Sequence, residues 1–111
     1  MISTVSARTS RDVTQKQIRA SFEFFPPKSP DADAALWNTI RRIEPLDPAF
    51  VSVTYGAGGT TRERTLDTVT RLVRETSLKP AAHFTCVGAS KQDIDETLEA
   101  FIAAGVRHIV A

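Results

Sequence analysis

The feature that most limits what this chain can fold into is a repeat of strand and helix signatures. Aromatic or β-branched runs begin at Ser21, Phe50, Ala81 and Val106, 25–31 residues apart. The first, Ser21–Phe25, reads as a short strand ended by Pro26 and Pro27. Ser29 then predicts an N-cap with Pro30 at the first helical position, and Asp31 and Asp33 suit the positive end of a helix. Leu36, Ile40 and Ile43 follow at i, i+4, i+7 beside Trp37, so one apolar helix face is expected, with Pro45 and Pro48 marking its exit. Phe50–Tyr55 predicts the second strand, and Gly56–Gly59 its turn. Thr60 and Glu63 have capping-box spacing, and Leu66, Val69 and Val73 make the next stripe, with Leu72 beside it. Pro80 precedes a third strand over Ala81–Cys86. Ser90 and Asp93 predict another helix start. Ile94, Leu98, Phe101 and Ile102 form its face, with Gly105 as the C′ glycine. Val106–Ala111 opens a fourth strand.

Strand–helix alternation at this period implies right-handed βαβ units and a parallel sheet. A doubly wound open sheet and a (β/α)8 barrel both satisfy it, and residue parity separates them. Phe22 and Phe24 oppose Ser21 and Glu23; Val51, Val53 and Tyr55 oppose Ser52 and Thr54; Ala82 and Phe84 oppose His83 and Thr85. Strands covered by helices on both faces read as continuous apolar runs. One polar stripe per strand instead fits a barrel whose lumen carries polar groups toward the C-terminal rim. An α+β layer with one wet face would alternate in the same way. A complete barrel takes ~250 residues, and three βα units plus a strand fill this chain of 111. The expectation is an N-terminal lead-in over residues 1–20 and the N-terminal half of a larger barrel over 21–111. Such a half, alone, would expose a strand edge and be prone to aggregate or swap.

Composition narrows the partners. The net charge of +1 gives no reason to expect nucleic acid or an acidic membrane surface. No apolar run nears the ~20 residues of a membrane helix. The single cysteine, Cys86, makes no intrachain disulfide and suits a reducing cytosol. Arg8, Arg11, Lys16 and Arg19 against Asp12 alone resemble a transit peptide in composition, although a frayed tail or short lead-in helix is the simpler reading.

Glu23 is the first candidate for chemistry, since carboxylates are depleted in strands and this one sits among Phe22, Phe24 and Phe25. Aromatic surroundings would disfavour its charged form and suit it to general acid work. A structural carboxylate satisfied by Lys28 or a backbone amide is equally open. His83, with Thr85, lies on the third strand's polar face, where a histidine can shuttle protons, meet a cofactor or simply be satisfied in the core. No second histidine or cysteine stands at metal-ligand spacing, which disfavours a metal. The glycine-rich turn of Thr54–Thr61 can bring backbone N–H groups to a phosphate, but it is neither GxGxxG nor a P-loop. Cys86 shares the parity of Phe84 and reads as a buried, inert thiol.

In order and spacing, "SFEFFPPK", "FVSVTYGAGG" with "RERT", "AHFTC" and "GVRHIVA" resemble the methylenetetrahydrofolate reductase family. The resemblance covers Ser21–Ala111 and implies a (β/α)8 barrel that binds FAD. It further implies that NADH or NADPH reduces the flavin and leaves, and that methylenetetrahydrofolate is then reduced at the same face. It places Glu23 at the family's general-acid position. Thr54 falls near flavin and nicotinamide, and Tyr55, Ala57 and His83 at flavin-contacting positions. The family's Arg-Gly-Asp segment, expected after the fourth strand, falls beyond Ala111. The resemblance implies a cytoplasmic enzyme and leaves a homo-oligomer open. Two other readings remain: a different (β/α)8 enzyme using Glu23 as acid or base, and a non-catalytic fragment that binds or regulates a full-length reductase.

Overall fold

The structure is a computed structural model, and it describes residues 18–56 and 61–111. Its elements alternate as the spacing predicts. They are β1 (Ser21–Phe24), α1 (Pro30–Ile43), a 3-10 turn (Glu44–Leu46), β2 (Phe50–Val53), α2 (Arg62–Glu75), β3 (Pro80–His83), α3 (Lys91–Ala103) and β4 (His108–Val110). The four strands form one parallel sheet in the order β1-β2-β3-β4. Strictly sequential order, with right-handed crossovers, keeps successive helices on one side of the sheet. A doubly wound sheet instead reverses its strand order at a switch point. The chain therefore has the α/β arrangement of the N-terminal part of a (β/α)8 barrel. None of the described helices is long and apolar enough to cross a membrane.

Local sequence explains the helix ends. The Ser29 hydroxyl accepts from the Ala32 N–H at 3.1 Å, with Pro30 at the first turn. Ser90 and Asp93 form a reciprocal capping box at α3. Gly105 follows α3 at φ +92°, where a Cβ would lie 3.0 Å from a Val73 methyl carbon. Two signals differ from expectation at α2. Thr60 lies outside the described residues, and Thr61 is the N-cap, with its hydroxyl turned to other partners. The 3-10 turn after α1 ends at Asp47 in the left-handed region, φ 49°.

One core cluster joins the sheet to the helices: Phe24, Val51, Val53 and Ala82 meet Trp37, Ile40, Val69, Leu72 and Phe101. Burying a side chain such as Phe101 contributes about 1.5–3 kcal/mol. The helix stripes are rotated from those the sequence suggests. Trp37 and Ile40 bury themselves on α1, while Leu36 and Ile43 are only half-buried. On α2 the buried face runs Thr65, Thr68, Val69, Leu72, with Leu66 and Val73 at its margin. On α3, Thr97 and Phe101 are buried and Ile102 is exposed. A buried threonine costs little here because its hydroxyl bonds a carbonyl one turn back: Thr68 to Arg64 and Thr97 to Asp93, each at 2.7 Å. Arg71 laces α1 to α2. Its guanidinium lies 3.9 Å from the Trp37 ring centre, pairs with Asp33 at 3.3 Å and also bonds Glu75.

The strands are shorter than predicted. Thr54, Tyr55, Phe84, Thr85 and Cys86 leave the regular ladder at its C-terminal edge. The Thr54 N–H still bonds Phe24 O, and the Phe84 N–H still bonds Val110 O, each at 2.9 Å. Cys86 is therefore carried past β3 into the loop and is exposed, not buried as its parity suggested.

Candidate active site

Register places the polar residues side by side. Glu23 pairs with Ser52 and Ser52 with Ala81, so these three side chains share the face opposite the core. His83, the last residue of β3, lies on that same face two residues beyond Ala81. Glu23 and His83 meet across β2, with His83 Nε2 3.1 Å from Glu23 Oε1. The short Ser52 and Ala81 side chains, both buried, form the floor beneath them.

This contact revises both expectations for Glu23. The phenylalanines do not enclose the carboxylate: Phe24 is buried on the opposite face, Phe25 is 74% exposed, and the Glu23 side chain is 52% exposed. Its partner is His83 rather than Lys28 or a backbone amide. His83 is likewise not a core histidine. Its side chain is 28% exposed at the strand's end, with Nε2 3.1 Å from a carboxylate oxygen.

The turn after β2 is held by two hydroxyls that sequence reading assigned no role. Thr65 Oγ1 donates to the Thr54 carbonyl at 2.7 Å, and Thr61 Oγ1 accepts from the Gly56 N–H at 2.7 Å. The two oxygens lie 3.4 Å apart. Thr65 is fully buried, so the first turn of α2 grips both ends of the Thr54–Gly56 backbone. The available signal was the pair of threonines at i, i+4 directly after a glycine-rich turn. Thr54 is thereby placed at the C-terminal end of β2, beside the Glu23–His83 pair in strand order. Tyr55 faces the other way. Its ring tilts at 43° against Phe84, centroids 5.8 Å apart, at the margin of the core. Ala57 lies outside the described residues.

A cavity of about 220 Å³ opens on the helix side of the same rim, between Tyr55, Phe84, Thr85 and the start of α3. Asp93 borders it. The Ser90 backbone N–H, then the Ser90 hydroxyl, hold its carboxyl below the usual carboxylate range, with Arg62 adding a favourable charge. Among the described residues no cluster of histidine, cysteine and carboxylates could hold a metal ion.

A half-exposed carboxylate 3.1 Å from an imidazole nitrogen, at the C-terminal ends of parallel strands, can hold and deliver a proton. The family profile described as methylenetetrahydrofolate reductase matches residues 8–111. A protein of Pectobacterium carotovorum named 5,10-methylenetetrahydrofolate reductase is 43% identical over 97 residues, covering 87% of this chain and 33% of that protein. The protein of the same name from Escherichia coli K12 is 42% identical over an equal span and share. Methylenetetrahydrofolate reductase (NADH) 1 of Arabidopsis thaliana is 34% identical over 97 residues, 16% of its length. The chain thus spans about a third of the bacterial relatives it matches.

Proposed function

This chain belongs to the methylenetetrahydrofolate reductase family, and on that premise we propose that the complete protein reduces 5,10-methylenetetrahydrofolate to 5-methyltetrahydrofolate in the cytoplasm. NADH or NADPH supplies the electrons, and FAD carries them. On this reading residues 21–111 are the first half of the flavin-binding barrel and residues 1–20 a lead-in. The observation that supports the reading is the contact between Glu23 and His83 at the C-terminal strand ends, on the face opposite the core, with Thr54 one residue past the end of β2.

The residues present fit a flat, hydrogen-bonding cofactor. Ser52 and Ala81 keep the sheet face low beside Glu23 and His83, whose polar groups stand at its edge. Thr54, His83 and Ala57 would hold the flavin, with Thr54 also near the nicotinamide, and Tyr55 would meet it through its backbone, since its ring lies against Phe84. Bound FAD supplies hydride transfer, which no side chain can perform. Glu23 supplies the proton. Opening the methylene bridge breaks a C–N bond, and the departing nitrogen takes the Glu23 proton as the remaining carbon becomes an iminium able to accept hydride. The β1–β2–β3 register fixes the acid in place, and Thr65 and Thr61 fix the backbone that positions Thr54.

Ping-pong order separates the roles. Reduction of the flavin by NAD(P)H needs no acid, whereas reduction of the folate does. Glu23→Gln in the complete protein should leave FAD content and flavin reduction intact and slow the folate half-reaction by about 10²–10⁴. Stopped-flow bleaching and reoxidation measure the two halves. Equal loss in both, at unchanged FAD content, would remove Glu23 from the acid role.

A further inference from the structure

The half-exposed setting of Glu23 raises a question that its aromatic neighbours do not answer. A glutamic acid free in water, with a pKa of ~4.3, is protonated in only about one molecule in 500 at pH 7. Phe22, Phe24 and Phe25 do not enclose the carboxylate, since the side chain is 52% exposed and Phe24 lies on the other face. What lies against the carboxylate is an imidazole, His83 Nε2 at 3.1 Å from Oε1. Imidazole is the side chain best suited to take up and release a proton near neutral pH.

The geometry points to His83 as the group that holds the proton for Glu23, so that the acid of this site is the carboxylate–imidazole pair rather than the carboxylate alone. The inference rests on the reading of Glu23 as the acid and adds a partner to it. At 3.1 Å, a proton on Nε2 is within reach of the carboxyl oxygen. When Glu23 gives its proton to the departing nitrogen, the C–N bonding pair goes to that nitrogen and Glu23 is left as carboxylate. The His83 imidazolium then passes its Nε2 proton to Oε1 and becomes neutral, and solvent water reprotonates it. His83 is a positioning residue for this step, since it acts through Glu23.

Three features favour the pair over a chance surface contact. First, β1 and β3 are each hydrogen-bonded to β2, so the backbone of three strands fixes the separation. Second, the residue between them in register is Ser52, short enough for the two side chains to meet above it. Third, the surroundings hold few competing charges. The strands β1–β4 carry Glu23, His83 and His108 as their titratable side chains, and His108 sits on β4, in register with Ala81. The core-side helices pack against the opposite face of the sheet, and Lys28 lies beyond Pro26 and Pro27.

The test is His83→Gln in the complete protein, because glutamine keeps an N–H for Glu23 but stores no proton. His83 is also placed against the flavin, so both halves are read on FAD-saturated protein, and the folate half-reaction should fall about 10-fold or more beyond any loss in flavin reduction at pH 7.5. The deficit should shrink as the pH is lowered. A folate half-reaction with the pH profile of the unsubstituted protein overturns the inference, as does an equal loss in both halves. A second measurement does not depend on bound flavin or turnover: ¹⁵N NMR of histidine-labelled, flavin-free protein. A proton on His83 Nε2, with a resonance that moves in Glu23→Gln, supports the pair; a resonance indifferent to that substitution overturns it. Should Glu23→Gln spare folate reduction while the NMR contact persists, the acid assignment fails and the pairing stands, so the two failures are distinguishable.

Discussion

Thr65 shows how a residue with no chemistry of its own can decide where chemistry happens. Its hydroxyl reaches out of α2 to the carbonyl of Thr54, one residue past the end of β2, from a fully buried position. Thr65→Val keeps the shape and deletes the hydroxyl, leaving the Thr54 carbonyl without that donor. We expect a loss of about 1–3 kcal/mol, read as a lower urea midpoint at unchanged slope, and near-complete recovery in Thr65→Ser. A valine variant as stable as the parent would show that water or another donor replaces the hydroxyl. Sequence alone exposed Glu23 and His83, because strand parity is a property of residue numbering. It could not show that they touch, since the contact depends on the register of β1 and β3 against β2. Parity already turns Phe22 and Phe24 away from Glu23, and only the expectation of aromatic surroundings for the carboxylate fails. Adjacency along a strand alternates faces, so Phe22 and Phe24 flank Glu23 in sequence but turn away from it in space. Thr61 and Thr65 escaped notice because a threonine near a helix start is ordinary until its partner carbonyl is known.

At the scale of elements, helix starts were more legible than helix faces. Ser29 and the Ser90–Asp93 pair cap through bonds that span three residues, so the sequence contains both partners. Faces depend on what packs opposite. The α2 stripe rotates to bury Thr65 and Thr68, and Ile102 of α3 is left outside. Strand ends were the least legible, because residues at the C-terminal rim leave the ladder for loops that parity cannot foresee. The capping box makes a further prediction. Ser90→Ala removes the hydroxyl that accepts from the Asp93 N–H at 3.1 Å, and should cost about 1 kcal/mol. The cap also carries a pH dependence. Folding holds the Asp93 carboxyl below its usual value, chiefly through the Ser90 backbone N–H. Its contribution is therefore complete above the unfolded value of ~3.9 and is lost as pH falls through the lower folded value. Urea midpoints measured from pH 6 down to pH 2 should fall more steeply in the parent than in Asp93→Asn. Parallel curves for the two would mean that the Asp93 carboxylate adds nothing to folded stability.

For the whole molecule, the informative fact is that its two sheet faces have different tasks. Strictly sequential strand order puts the helices on one side, and the buried cluster of Phe24, Val51, Val53 and Ala82 lies there. The other face carries Glu23, Ser52, Ala81 and His83, in which small and polar side chains leave room rather than fill it. Core packing and the proposed site are thereby separated by residue parity, and two neighbouring phenylalanines provide the test. Phe24 is 6% exposed and packs into the helix-side core, while Phe25 is 74% exposed beyond the strand end. Phe24→Ala should cost about 3–5 kcal/mol, through lost burial and the cavity left behind. Phe25→Ala should change stability by no more than about 0.5 kcal/mol. Equilibrium urea unfolding of the two variants measures both. Comparable losses would mean that the face bearing Glu23 is packed as a second core, with no room for a flat cofactor above Ser52 and Ala81. A large loss in Phe24→Ala alone would leave that face free for substrate, and the Glu23–His83 pair standing at its edge.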